Sequence, residues 1–204
     1  MNFMINKLEK SKVYSSHDLK ELGVNSYFCR MLLESNQLLP VKRGNYIRND
    51  HDLDRILLMQ ASYPDAVFCL QSALYIHRYL HEEPEKLILA ALKSESRLKY
   101  RSMTLPVICY YRDDKYAKLG LTEIDYRNKK VRVTDRERTI IDCIRRKSLL
   151  SDNDYQLAIQ GYISDPLKNI ARLLAYAKQF RIEKKIRFIF DPWVKLTVEK
   201  SNYI

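Results

Sequence analysis

The sequence predicts an α+β protein on three observations. Residues 15–48, SSHDLKELGVNSYFCRMLLESNQLLPVKRGNYIR, hold two helix-length apolar patterns followed by two strand-length ones. Residues 86–133 are a series of short apolar or alternating runs of strand length. Residues 135–190 return to helical spacing. The architecture expected is a winged helix-turn-helix over 1–50, a connecting helix over 51–65, and a mixed α/β domain over 66–204. That last domain should hold a small sheet and close with three C-terminal helices.

In the first segment, Gly23 serves as the turn between two crossed helices. Leu22, Val24, Cys29 and Leu32 then fall on the shared inner face, and Leu19 stands where a small residue is usual between such helices. Ser15 or Ser16 suits the first N-cap and Asn25 or Ser26 the second, because short polar side chains satisfy free N–H groups there. Residues 38–41 and 45–48 flank Lys42-Arg43-Gly44, a basic hairpin tip with a residue that tolerates positive φ. With Cys29 and Leu32 inward, Ser26, Tyr27, Arg30, Met31 and Glu34 fall on or beside the outer face.

A helix follows over 53–62, capped by Asp50 or Asp52. Residues 70–80 have helical spacing, and 86–91 and 104–111 read as strands, with Pro106 near a strand start or on an edge. Residues 119–126 and 129–133 are strands joined across Arg127-Asn128. Residues 135–147 form an amphipathic helix. Thr139, Ile140, Cys143 and Ile144 face one way, while Arg136, Glu137, Arg145 and Arg146 largely face the other. Helices over 152–163, 166–178 and 182–190 complete the chain, with Asp165 capping a helix that starts at Pro166.

The chain has 204 residues, enough for one large or two small cores, and a net charge of +11. Residues 85–150 are the most basic section, with seventeen Lys/Arg against nine Asp/Glu. A diffuse positive field suits a nucleic-acid binder, although a solvated lysine-rich surface has the same composition. No apolar run approaches membrane-spanning length, and the start MNFMINKLEKSK is too polar for a signal peptide. The four cysteines are far apart and never in a CxxC pair, as expected of reduced thiols in a cytoplasmic protein.

The pattern points to double-stranded DNA as the partner. The N-terminal end of the second helix is the part that enters a major groove. Arg30 is the candidate base reader, with Asn25, Ser26, Tyr27 and Met31 beside it. Lys42 and Arg43 at the hairpin tip, with Asn45 and Arg48 on its second strand, are the candidate phosphate contacts. Arg132, Arg136, Arg138, Arg145 and Arg146 form a candidate second basic surface, compatible with the plainer reading that this segment pins its helix onto the sheet. The alternative function is a protein-interaction module that docks a partner through the same winged helix.

No catalytic constellation emerges, and no cofactor or metal is expected. Glu123 and Asp125 share a strand face, but no third carboxylate and lysine converge on them in the sequence. His77 and His81 have the i, i+4 spacing of a zinc pair on a helix, but no third ligand stands nearby.

Ser72-Ala73-Leu74, within SALYIH, and residues 131–139 (VRVTDRERT) with Asp142 carry a resemblance. Their order behind a short winged helix resembles the AbiEi-type antitoxins of bacterial type IV toxin–antitoxin systems, over about residues 5–190. The resemblance implies a DNA-binding autorepressor that binds inverted-repeat operators cooperatively. It also implies counteraction of a nucleotidyltransferase-like toxin without a stable protein complex. No long heptad pattern is visible, so a monomer or weak dimer that pairs on DNA is expected.

Overall fold

A computed structural model describes residues 5–10, 12–50, 53–96, 99–100 and 105–201, with side chains to Trp193. The fold is α+β: the described residues hold eight helices and two sheets. Two compact units group the chain out of sequence order. The first comprises residues 1–68, 85–117 and 123–132, and the second residues 69–84, 118–122 and 133–204.

The first unit opens with β1 (Val13–Ser15), α1 (Ser16–Glu21) and α2 (Ser26–Glu34). Ser15 and Asp18 form a reciprocal capping box on α1. The Ser15 backbone and hydroxyl hydrogen bonds hold the Asp18 carboxyl below its usual pKa. Asn25 caps α2, its Oδ1 accepting from the Phe28 N–H at 3.0 Å. β2 (Leu38–Lys42) and β3 (Asn45–Arg48) make a hairpin, and β1 adds to it antiparallel in the order β1-β3-β2. Sequence patterning did not single out β1, which is only three residues long. Leu8, Tyr14, Leu19, Val24, Leu32 and Leu38 are buried together beneath the two helices. Leu19 is part of that core rather than an obstacle to it.

α3 (Arg55–Ser62) follows, and its cap is Asp54, which accepts from Leu57 N–H at 2.9 Å. Asp50 pairs with Arg48 instead, at 3.1 Å, and Asp52 lies outside the described residues. The second sheet holds β4 (Val67–Phe68), β5 (Leu87–Leu92), β6 (Val107–Arg112), β7 (Leu121–Tyr126) and β8 (Lys129–Thr134) in the order β6-β5-β4-β8-β7. β5 and β6 run parallel, Leu87 opposite Val107. Arg127 (φ +47°) and Asn128 (φ +64°) form the two-residue turn between β7 and β8. Hairpin turns of type I′ require positive φ at both positions, which Asn tolerates.

In the second unit, α4 (Leu70–Ile76) stops short of residue 80 because Arg78 takes a left-handed φ of +64°. α5 (Arg136–Arg145), α6 (Asp152–Ser164), α7 (Ile170–Gln179) and α8 (Glu183–Ser201) follow. Pro166 does not begin a helix. Asp165 Oδ1 accepts from Leu167 N–H at 2.7 Å, and the next helix is capped by Asn169. The final helix runs well past residue 190 and contains Pro192.

Thr139, Ile140, Cys143 and Ile144 of α5 are buried as expected and Arg136, Arg145 and Arg146 are not, but Glu137, expected on the outer face, is buried as well. Every residue from Glu137 to Ile144 is buried, charged ones included. Arg138 Nε meets Asp142 Oδ2 at 2.8 Å with both side chains essentially inaccessible. Glu137 accepts from Tyr162 Oη at 3.2 Å and from Asn169 N–H at 2.8 Å. Tyr176 donates to Asp135 at 2.9 Å. Periodicity misplaces Glu137 because it counts a carboxylate as solvent-facing, whereas here Tyr162, the Asn169 N–H and Arg172 satisfy it inside the unit.

His77 caps the end of α4, with Nε2 2.7 Å from the Thr134 carbonyl. Burial pushes its pKa down to about 4, so the folded imidazole is neutral. The unfolded imidazole titrates near pH 6.5. The unfolded chain therefore binds the extra proton between those values. Stability is complete above about pH 6.5, falls as the pH is lowered towards 4, and levels off below. The expected loss is about 3 kcal/mol. His77→Gln should remove that segment of the pH–stability curve in urea denaturation.

Candidate nucleic-acid interface

α2 presents its N-terminal end outward. Asn25, Ser26, Tyr27 and Arg30 are exposed, and Tyr27 retains 68% of its surface. Phe28 and Cys29 turn inward against the core, which fixes the opposite rotation of Tyr27 and Arg30. Met31 is half-buried at the side. The Asn25 side chain is engaged through Oδ1 in capping, which leaves its amide nitrogen directed away from that bond. A groove of about 560 Å³ runs between α1 and α2, with Lys20, Asn25, Ser26 and Arg30 among its lining residues and Tyr46 also bordering it. Burial raises the pKa of the Cys29 thiol at its floor, so this group is an uncharged packing element.

The hairpin differs from the sequence expectation in its cations. Lys42 Nζ donates to the Ser62 carbonyl at 2.9 Å and lies over the Tyr63 ring at 4.9 Å. It therefore complements the carbonyl end of α3 and is not a free tip residue. Arg48 is likewise engaged and half-buried: Nη1 reaches the Leu8 carbonyl at 3.3 Å, and Nε pairs with Asp50. Asn45 Nδ2 donates to the Arg43 carbonyl at 3.2 Å and so shapes the tip. Arg43 stays exposed. The tip itself is docked, with Gly44 (φ +72°) accepting from Ser16 N–H at 2.9 Å. The bases of the expected interface that stand free are thus Arg30 and Arg43.

The second basic surface is not assembled as expected. Arg138 is only 1% exposed and cannot reach a ligand. Arg136 pairs with Asp165 at 2.7 Å, and Arg145 lies over the Phe180 ring at 4.3 Å. Arg146 is exposed, and Arg132 is half-buried near Glu123 at 3.8 Å.

A different basic site does form, in the first unit. Lys10, Lys12, Lys129 and Lys130 border a groove of about 510 Å³ together with Glu9 and residues of α3. Both halves were legible as charge runs, KLEKSK and RNKK, but nothing in the sequence brings residues 10 and 129 together.

The carboxylates considered for catalysis have basic neighbours: Asp125 pairs with Lys130 at 2.9 Å and Glu123 faces Arg132. The histidine pair is not helical, since α4 ends before His77, and His81 is exposed. One group of potential metal ligands occurs among the described residues, the exposed His17, Asp18 and Glu21, with ligand atoms within 4.8 Å of one another. Asp18 is already committed there to the α1 cap. No helix among the described residues is long and apolar enough to cross a membrane.

No family model matches the chain, and no curated protein matches it. Among solved structures, the crystal structure of the Rv2827c protein from Mycobacterium tuberculosis is similar with a TM-score of 0.63 at 14% identity. The similarity covers 82% of this chain and 66% of that one, and at this identity it is a likeness of fold alone.

Proposed function

We propose that residues 13–48 form a winged helix-turn-helix and that the chain is a DNA-binding transcriptional regulator. The observation that carries this reading is the uncovered N-terminal end of α2, where Ser26, Tyr27 and Arg30 stand outward in the same unit as the exposed Arg43. Arg30 reads a guanine edge in the major groove, Ser26 and Tyr27 flank it, and Arg43 contacts backbone phosphate. Cooperative pairing of two copies on an inverted repeat places two such helices in successive grooves.

The narrower role, an autorepressing antitoxin whose operon encodes a nucleotidyltransferase-like toxin, rests on the resemblance carried by residues 72–74 and 131–139. In that role the chain works in the cytoplasm, without cofactor or catalytic step, and opposes the toxin without a stable complex. The buried Arg138 and Asp142 then act by holding the second unit together.

The test is a gel shift with the DNA upstream of the chain's own gene. Arg30→Ala should cost about 1–3 kcal/mol on the cognate site and relax choice at one base pair. Equal loss on random duplex would remove Arg30 as a base reader. Arg43→Ala should weaken all duplexes and flatten the salt slope by about 0.9. Lys42→Ala should leave that slope unchanged, since Lys42 is engaged with α3. A protein-docking role for the same face is favoured by the exposed Tyr27 ring. That role requires binding to a partner that survives in high salt and the absence of a cognate gel shift.

A further inference from the structure

We propose that the lysine groove between the N-terminal segment, α3 and the start of β8 is a second seat for duplex DNA backbone, holding DNA that flanks the site read by α2. This rests on the reading of the chain as a duplex-DNA binder and extends its contact surface. Four lysines border the groove against one glutamate. Lys12 is paired with Glu9 at 2.6 Å and Lys130 with Asp125 at 2.9 Å. Lys10 and Lys129 are exposed and have no acidic partner among the described residues. A polyanion entering here meets two uncompensated ammonium groups, and two more whose surface ion pairs are weak enough to exchange.

The lining argues for duplex backbone over other polyanions. No aromatic ring lines the groove, so it offers no platform on which single-stranded bases could stack. Its apolar part is small, limited to Val13, Leu57 and Ala61, too little to anchor a folded partner. The frame is rigid. Gln60 donates to the carbonyls of Pro64 and Ala66, and its Oε1 accepts from Arg132 N–H at 2.7 Å, tying α3 to β8. The groove also adjoins the hairpin. β1 begins at Val13 in the groove and ends at Ser15 opposite Asn45, two strand steps or roughly 7 Å along. α3, whose Gln60 and Ala61 border the groove, holds Lys42 of the hairpin through its Ser62 carbonyl. Backbone tracked past Arg43 is therefore led towards Lys10 and Lys129.

The test measures binding of the full chain to a random-sequence 30-base-pair duplex across a salt series. The proteins are wild type, Lys10→Ala with Lys129→Ala, and Arg30→Ala with Arg43→Ala. Loss of two phosphate contacts should lower the slope of log K against log salt by about 1.8 in the lysine variant. Both lysines are exposed, so its thermal midpoint should match wild type. An unchanged slope overturns the proposal. An unchanged slope with lost retention on polyglutamate beads assigns the groove to an acidic protein segment instead. A lowered slope in the lysine variant beside an unchanged one in the arginine variant keeps the groove and removes the α2 reading. No binding of wild type to the duplex at low salt overturns both.

Discussion

Asp142→Ala is expected to destabilise the second unit by about 3–5 kcal/mol, because it leaves the Arg138 guanidinium charged and buried without its partner. Arg138 is 1% exposed and its Nε sits 2.8 Å from Asp142. Its Nη1 donates to the Leu119 carbonyl at 3.1 Å, and its guanidinium lies over the Phe180 ring at 4.6 Å. Arg145 approaches the same carboxylate at 3.6 Å and the same ring, so without Asp142 it stands as a second cation beside Arg138 and adds to the penalty. Four of the five helices among the described residues of this unit follow residue 133, so helical circular dichroism in a urea titration reads the relevant transition. The double variant Arg138→Met with Asp142→Leu should recover most of the loss, since an apolar pair of similar volume carries no desolvation cost. A loss below about 1 kcal/mol for Asp142→Ala would show that water reaches Arg138 readily.

Gly120→Ala should cost about 2–6 kcal/mol, from two separate causes. Gly120 has φ +68°, where an alanine is strained by about 1–3 kcal/mol. A Cβ there would also stand 2.4 Å from the Arg138 Cβ and 3.1 Å from Asp135 Oδ1. Neither neighbour is free to retreat: Asp135 caps α5 and its N–H donates to the Gly120 carbonyl at 2.8 Å. Overpacking of that kind adds about 1–3 kcal/mol. Gly23→Ala separates the two causes, because Gly23 has φ +85° but open space around its Cβ direction. The difference between the two variants in urea midpoint reads the steric part. Equal losses would mean that α5 shifts to make room.

The elements legible in the sequence are those fixed by neighbours along the chain. Ser15 and Asn25 cap their helices as expected, because a cap needs only the next three residues. The β2–β3 hairpin follows from Gly44, and the β7–β8 turn from Arg127-Asn128. What was not legible depends on partners distant in sequence. Lys42 reads as a free tip cation until Ser62, twenty residues on, supplies a carbonyl. The Arg138–Asp142 pair is legible from its i, i+4 spacing, but Arg138 still reads as part of a basic surface until Leu119 and Phe180 enclose it. α7 begins at Ile170 with Asn169 as its cap rather than at Pro166, and Asp165 is instead joined to the distant Tyr79 and Arg136. Of the candidate interface, the outward set on α2 was legible from helical rotation. The sharing of cations between surface and interior was not.

The Ser16–Gly44 hydrogen bond has a thermodynamic corollary. It ties the tip of the β2–β3 hairpin to the first residue of α1, so Arg43 sits on a brace rather than on a tether. A ligand arriving there freezes one side chain, at about 0.5–1.5 kcal/mol, and no loop. Association at this corner should therefore be fast and governed by ionic strength, with little heat-capacity change beyond that of the surface covered.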